Sequence, residues 1–371
     1  MIPAGWREVK IAEIAKIDVG RDLVEDRFAR TSSDTHCYPV YSNTVEQHGH
    51  YGYYDFPEYS VESVTVVGRG IGLGTAFART KPFGAIGRLL VLSPRDASFD
   101  VGYLADYLNH GFEIHYESGG IPQLPGKTLG NYSILLPPLD QQRRIAEVLS
   151  NWDSAIEVVE AMIANTRTQK KALMQSLLTG RQRLPGFSEE WAIERLASLC
   201  AISKGEQLGR LAMIDYGTVP VINGGISASG YTDRANTPGG CITISEGGNS
   251  CGFVSLIDQS FWCGGHCYAL KDPRVDRSFL YASLKHREAE IMTLRVGSGL
   301  PNIQKKALSG FELLVPPREE QEAIGKCADV QSAAIQGLEN QLAALRQEKA
   351  ALMQQLLTGK RRVKVEANVD A

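Results

Sequence analysis

The sequence predicts an α+β chain made of two β-rich globules, each followed by one long helix. Three observations carry this. Residues 135–180 and 314–359 align without a gap and are identical at 19 of 46 positions. Self-similarity at one fixed offset marks a duplicated structural unit. Each copy carries an apolar seven-residue repeat, the pattern of a helix–helix seam. Each copy also follows a stretch rich in glycine and short β-forming runs, punctuated as strands and turns are.

The helices come first because their pattern is longest. In the first copy one series is Ile145, Trp152, Val159, Thr166 and Leu173. The interleaved series is Leu149, Ile156, Ile163, Lys170 and Leu177. In the second copy the series are Ile324, Gln331, Leu338, Leu345 and Leu352, then Ala328, Ile335, Leu342, Lys349 and Leu356. Eight of ten positions are apolar in each copy. A solvated single helix has no need of such a stripe. Pro137-Pro138 and Pro316-Pro317 can open a helix but not continue through it. Asp140, Glu319 and Glu320 suit the positive end of the dipole. Gly180 and Gly359 follow Leu-Leu-Thr as stops. Forty residues at 1.5 Å make a rod of about 60 Å. Lys170 and Lys349 share one seam position; they either fix register there or snorkel out at a frayed end. Two similar rods most simply pack on each other. The sequence alone leaves parallel and antiparallel packing open.

Both globules show the same order of features. Helical patterns open them at 9–17, after Trp6, and at 193–199, after Trp191. Strand-like runs follow at 63–67, 89–92, 241–245 and 267–270, then helical stretches at 101–117 and 278–294. A loop and a strand close each: Gly120-Ile-Pro-Gln-Leu before 132–136, and Gly299-Leu-Pro-Asn-Ile before 311–315. The domain organisation read from this is 1–136, a helical spacer 137–184, 185–315, a second spacer 316–362, and a flexible tail 363–371.

Composition restricts the function classes. The chain has 371 residues, 43% hydrophobic and 22% charged, ordinary for a globular protein of two or three domains. No apolar run reaches membrane-spanning length, and the start (MIPAGWREVK) lacks a signal-peptide core, so a cytoplasmic, non-membrane protein is expected. Seven cysteines at irregular spacing suggest reduced thiols rather than a disulfide framework. The net charge is −3. If the chain binds nucleic acid, its cations must be sorted onto one face, or a partner must supply phosphate contacts.

Motif by motif, the residues argue against catalysis. Gly68-Arg-Gly-Ile-Gly-Leu-Gly74 follows a strand as a nucleotide loop does, but no suitable helix opens after it. A tight turn is the plainer reading. Cys241, Cys251, Cys263, His266 and Cys267 lie close in sequence yet contain no Cys-x-x-Cys pair, so buried thiols are favoured over zinc. Walker, methyltransferase and hydrolase signatures are missing. Polar and aromatic residues instead gather on loops. In the first globule they are Tyr41, Ser42, Asn43, His48, His50, Tyr51, Tyr53, Tyr54 and Arg69. In the second they are Asn223, Ser227, Ser229, Tyr231, Thr232, Arg234 and Asn249. Asn, Gln and Arg can bond base edges bidentately, and hydroxyls reach phosphates.

Leu-Pro-Pro-Leu-x-Gln-Gln-x-x-Ile-Ala at 136–146, Val-Pro-Pro-x-x-Glu-Gln-x-x-Ile at 315–324, and Leu-Met-Gln-x-Leu-Leu-Thr-Gly at 173–180 and 352–359 carry a family likeness. So do the Gly-x-Pro loops at 120–124 and 299–303. The chain resembles type I restriction-modification specificity subunits over nearly its whole length. The likeness implies two target recognition domains separated by two long antiparallel coiled-coil helices, in a pseudo-two-fold arrangement. Each domain would read one half of a split, asymmetric double-stranded DNA target, the helices setting the gap. The resemblance also implies a non-catalytic chain without a cofactor of its own. Two methyltransferase subunits would bring S-adenosylmethionine, and nuclease/translocase subunits would bring ATP and Mg. Met162, Val158 and Leu357 are expected to offer spare apolar surface to partner helices. Candidate DNA contacts are Asn43, Tyr53, Arg69, Gln123 and Lys127 in the first domain. In the second they are Asn223, Tyr231, Arg234, Asn249, Asn302 and Lys305.

A rival reading is a scaffold that joins two β-rich protein-binding modules without DNA, which the acidic net charge favours. A second is an enzyme holding a cofactor on the 68–74 loop.

Overall fold

The computed structural model describes residues 2–111, 121–214, 216–297, 299 and 301–364. The chain forms two compact units, residues 1–160 with 341–371, and residues 161–340. Each long helix is shared between the two units.

The first unit opens with β1 (Arg7–Lys10), a single turn α1 (Ile11–Ile14) and β2 (Ala15–Val19). The helical pattern expected over 9–17 is therefore mostly strand. Only one helical turn remains between the strands, because β1 pairs antiparallel with β10 (Ser133–Leu136). Then come β3 (Phe28–Ala29), β4 (Tyr38–Tyr41), β5 (His50–Tyr54), β6 (Ser63–Val66), β7 (Ala76–Arg79), β8 (Gly84–Ala85) and β9 (Leu90–Pro94). They make two sheets, β2-β9-β6-β7 and β3-β5-β4-β8. All four residues of β6 are buried, although its sequence alternates polar and apolar; Ser63 and Thr65 are buried with the two valines. Helix α2 (Val101–Gly111) and the short α3 (Gly126–Gly130) precede β10 and the long α4 (Leu139–Leu178). The part of the expected 101–117 helix beyond residue 111, and Gly120, lie outside the described residues.

The second unit repeats this order. It has β11 (Ala192–Arg195), α5 (Leu196–Leu199), β12 (Ala201–Lys204), β13 (Val219–Ile222), β14 (Gly230–Thr232), β15 (Cys241–Ser245), β16 (Val254–Ile257), β17 (Trp262–Cys263) and β18 (Cys267–Lys271). Then come α6 (Arg277–His286), α7 (Glu288–Thr293), α8 (Lys305–Ser309), β19 (Glu312–Val315) and α9 (Arg318–Leu356). The sheets are β12-β18-β15-β16, β14-β13-β17 and β11-β19. The expected helix over 193–199 is again strand β11 followed by one turn, and the expected 278–294 helix breaks at Arg287 into α6 and α7.

Within the first unit α4 and α9 run antiparallel. Asp153 meets Lys349, and the later Glu160 meets the earlier Arg346. Within the second unit they do so again, through Arg167 to Glu339 and Lys170 Nζ to Ser332 Oγ at 2.6 Å. The seam lysines thus bond across the helix pair instead of fraying outward. Ile145, Leu149, Val159, Ile163, Leu177, Ile324 and Leu356 are buried. Trp152, Ile156, Leu173, Ile335, Leu338, Leu342, Leu345 and Leu352 are half-buried. Val158 and Met162 are exposed, at 58% and 48%. Leu357, expected to be spare surface, is buried and packs into the core of the first unit. It sits at the helix end, where the chain folds back onto the globule. Both helices stop at a left-handed glycine, Gly180 at φ 70° and Gly359 at φ 69°. Beyond them Gln182 N–H donates to Ser176 O and Arg361 N–H to Gln355 O, so both helix ends close in the same way.

Candidate nucleic-acid interface

Strand β6 enters the glycine motif and the chain turns straight back into β7. Val67 N–H donates to Thr75 O (2.9 Å) and Gly74 N–H to Val67 O (2.8 Å). Inside, Leu73 N–H reaches Gly70 O (3.2 Å) and Thr75 N–H reaches Gly72 O (2.9 Å). The second unit repeats these bonds one for one between β15 and β16. Ser245 N–H donates to Phe253 O (2.9 Å), Gly252 to Ser245 O (2.9 Å), Cys251 to Gly248 O (3.1 Å) and Phe253 to Ser250 O (2.9 Å). Residues 68–75 therefore correspond to 246–253, although the side chains differ.

A second loop docks on each turn. Gly70 N–H donates to Pro122 O and Leu124 N–H to Gly68 O; in the other unit Gly248 N–H donates to Pro301 O and Ile303 N–H to Glu246 O. Arg69 then lies opposite Gln123, and Gly247 opposite Asn302. Gln123, Asn302 and Asn249 are exposed, and Arg69 is half-buried. The helices α3 and α8 follow at once, bringing exposed Lys127 and Lys305. Lys306, which the sequence reading passed over, is the position in α8 that matches Lys127 in α3.

Other candidates have work inside the fold. The Asn43 carboxamide donates to Arg69 O (2.6 Å) and accepts from Gly68 N–H (2.7 Å). Its hydrogen bonds hold the turn's backbone. Asn223 accepts from His266 N–H (3.1 Å). Tyr53 lies on β5 with its ring edge-on to His50. Tyr231 is exposed on β14, and the Arg234 guanidinium lies 5.5 Å from the centre of the Trp262 ring. Tyr54 and Thr232, read as polar loop residues, are buried. They occupy the inward positions of β5 and β14, where alternation turns every second side chain to the core. The Tyr54 hydroxyl accepts from Val24 N–H there.

Two further residues have roles that the sequence alone does not assign. Arg79 is buried, with Nε donating to Thr65 Oγ1 (2.9 Å), Nη2 donating to His48 O (2.7 Å), and its guanidinium 3.5 Å above the Tyr41 ring. Burial pulls its pKa down to about 10, so it stays a cation at neutral pH. It pins a loop in which Gln47 and His48 take left-handed φ values of 46° and 55°, a backbone that non-glycine residues adopt only when held there. Glu246, 13% exposed, takes Lys204 Nζ at 2.6 Å and the Tyr268 hydroxyl at 3.1 Å. A lone Arg at a strand end and a lone Glu before Gly-Gly carry no pattern that sequence could single out.

Five of the cysteines are core. Cys200, Cys241, Cys251, Cys263 and Cys267 are all buried. Burial raises the Cys200 and Cys241 thiols to about 12 and about 11. Among the described residues no group of three or more His, Cys, Asp or Glu side chains could hold a metal. No described helix is long and apolar enough to cross a membrane.

The model of the type I restriction modification DNA specificity domain matches residues 3–165 and 188–345. The chain belongs to this family. A Mycoplasma pneumoniae protein named as a type I specificity subunit is 35% identical over 147 residues, covering 38% of this chain and 39% of that one. The matched part thus spans about two fifths of that relative. The crystal structure of a type I restriction-modification S subunit from M. genitalium superposes with a TM-score of 0.73 at 18% identity, covering 96% of both chains. A chain from a study of complex assembly and conformational transition in the type I R-M system gives 0.58 at 17% identity, covering 97% of this chain and 100% of that one. Those likenesses show the fold.

In this specificity-domain chain the doubled Pro-Pro motif has a physical reading. Gln142 Nε2 donates to Pro137 O (2.8 Å) while its Oε1 accepts from Asp100 N–H (2.8 Å). Gln321 makes the same two bonds, to Pro316 O (2.8 Å) and from Asp276 N–H (2.9 Å). Asp100 and Asp276 in turn cap α2 and α6 through Tyr103 N–H and Phe279 N–H. One glutamine therefore fastens the start of the long helix to the start of the globule's helix. The residue before it receives an indole: Trp6 Nε1 donates to Gln141, and Trp191 Nε1 to Glu320.

Proposed function

We propose that this chain is the DNA sequence-specificity subunit of a type I restriction-modification complex. Residues 1–136 and 185–315 act as its two target recognition domains, each reading one half of a split, asymmetric double-stranded target. The chain performs no catalysis. It recruits two methyltransferase subunits, which supply S-adenosylmethionine chemistry, and nuclease/translocase subunits, which supply ATP- and Mg-dependent cleavage. The setting is cytoplasmic.

The observation that carries this reading is the pair of matched turns. An identical backbone frame holds Arg69 and Gln123 in one unit and Gly247 and Asn302 in the other. A frame kept constant while its side chains vary is what two readers of different sequences require. The near-neutral charge fits a reader whose phosphate contacts come largely from partners.

The test is selection from a randomised duplex library by the full chain with its methyltransferase partner. Enrichment of a split motif with two unlike halves is the expected result. Enrichment of nothing above random duplex, with protein partners captured instead, would establish the scaffold reading.

A further inference from the structure

The glycine motif at 68–74 holds no cofactor in the proposed function, yet it displays one large apolar side chain outward. Ile71 is 91% exposed. It stands between Gly70 at φ 82° and Gly72 at φ 77°, at the tip of a turn tied on both sides by the bonds described above. Gly72 has no room for a side chain: a Cβ there would lie 2.3 Å from Val45 Cγ1. Asn43 clamps the same turn from beneath. The tip is therefore a fixed mount, so its isoleucine needs little further ordering to make contact. By the matched hydrogen bonds, residue 71 corresponds to residue 249. There the second unit places an exposed asparagine, Asn249, after Gly248 at φ 76°.

Resting on the DNA-reading function, we infer that residues 71 and 249 are equivalent specificity-determining tips. Ile71 packs on the 5-methyl group of a thymine in the major groove. Asn249 takes the N6 and N7 edge of an adenine. Both assignments follow from side-chain chemistry. An aliphatic tip can favour the one base edge that carries a methyl, and a carboxamide matches adenine's donor–acceptor pair. The difference between the tips makes the two half-sites unlike.

The experiment measures competition binding by the full chain with its methyltransferase partner on its selected target duplex. Each thymine is replaced in turn by deoxyuridine, which lacks only the methyl group. Each adenine is replaced by a purine lacking the 6-amino group. One thymine replacement should weaken the unaltered chain about four-fold, the effect of one buried methyl, and leave Ile71→Ala indifferent. One adenine replacement in the other half should weaken it roughly ten-fold or more and leave Asn249→Ala indifferent. Both side chains are exposed, so melting of the variants should match the parent. If no thymine separates the parent from Ile71→Ala while target binding stays specific, the tip assignment fails and the DNA-reading function stands. If no duplex is preferred over random sequence, both fall.

Discussion

The two units share a frame but differ at the corner where the long helix begins. In the second unit the Glu320 side chain is fully buried and takes Arg183 at 2.6 Å together with the Trp191 indole. In the first unit the matching residue is Gln141, which takes Trp6 at 3.1 Å, and Arg362, the counterpart of Arg183, donates to Ala4 O instead. Neighbouring Gln142 and Gln321 are unchanged in role. The geometry of the corner is thus kept by the neutral glutamine, while the ion pair is an addition made in one copy only. The same holds at the turns, where the backbone is common and the side chains are not.

The largest test of this difference is at the ion pair. Glu320→Ala leaves the Trp191 indole N–H and Arg183 without this acceptor and should be the more destabilising of the two changes at the corner. Gln141→Ala loses one neutral bond and should cost about 1 kcal/mol. Hydrogen-exchange protection in β11 and β19, against β1 and β10, would read the two effects separately. Equal losses would mean that the charge adds nothing.

Next is the reading turn. Arg69 faces Gln123, whereas the second unit has Gly247 at that place. Arg69→Ala should relax preference in one half-site and leave the other half's sequence unchanged, as seen in the methylation pattern of a host genome. An identical and equally efficient pattern would remove Arg69 from the interface.

A smaller effect concerns pH in the first unit alone. Burial raises the Asp106 carboxyl to about 6, with Lys349 opposing the shift and Asp153 and Asp100 adding to it. The folded state keeps a proton that the unfolded chain has lost. Stability contributed by this group therefore falls as pH rises from about 4 to 6. Asp106→Asn should remove that slope and stabilise the unit at pH 7 by on the order of 1 kcal/mol. Denaturation at pH 5 and pH 7 measures it; an unchanged slope would contradict the burial effect.

The smallest is thiol access. Cys37 in the first unit is exposed, and the five buried thiols of the second are not. Under native conditions an alkylating reagent should label Cys37 first and reach the buried set only as the unit opens.

The helices were the most legible part of the molecule. A seven-residue stripe over forty residues has no competing interpretation, and the proline and glycine limits fall where α4 and α9 begin and end. The strands 63–67 and 241–245 were legible because they are dense in β-branched Val, Ile and Thr. Strands β4, β5, β13 and β14 were not, since their Tyr, Pro and Gly content reads as loop until a partner strand is in view. The openings at 9–17 and 193–199 misled because a short apolar spacing suits either a turn of helix or a half-buried strand. At the site, the glycine motif announced a turn. What docks on it, the carbonyls of Pro122 and Pro301, comes from more than fifty residues away in each unit and leaves no local trace. The same long-range bonding took Asn43 out of the surface and into the support of the turn.

In the proposed function one frame, built twice with unlike side chains, reads two unlike pieces of DNA. Methylation sequencing of a host genome, with and without this chain beside its methyltransferase partner, tests it most directly. A single new motif in two non-identical halves with a gap of constant length is the expected result. A continuous motif, two identical halves, or no new methylation would contradict it.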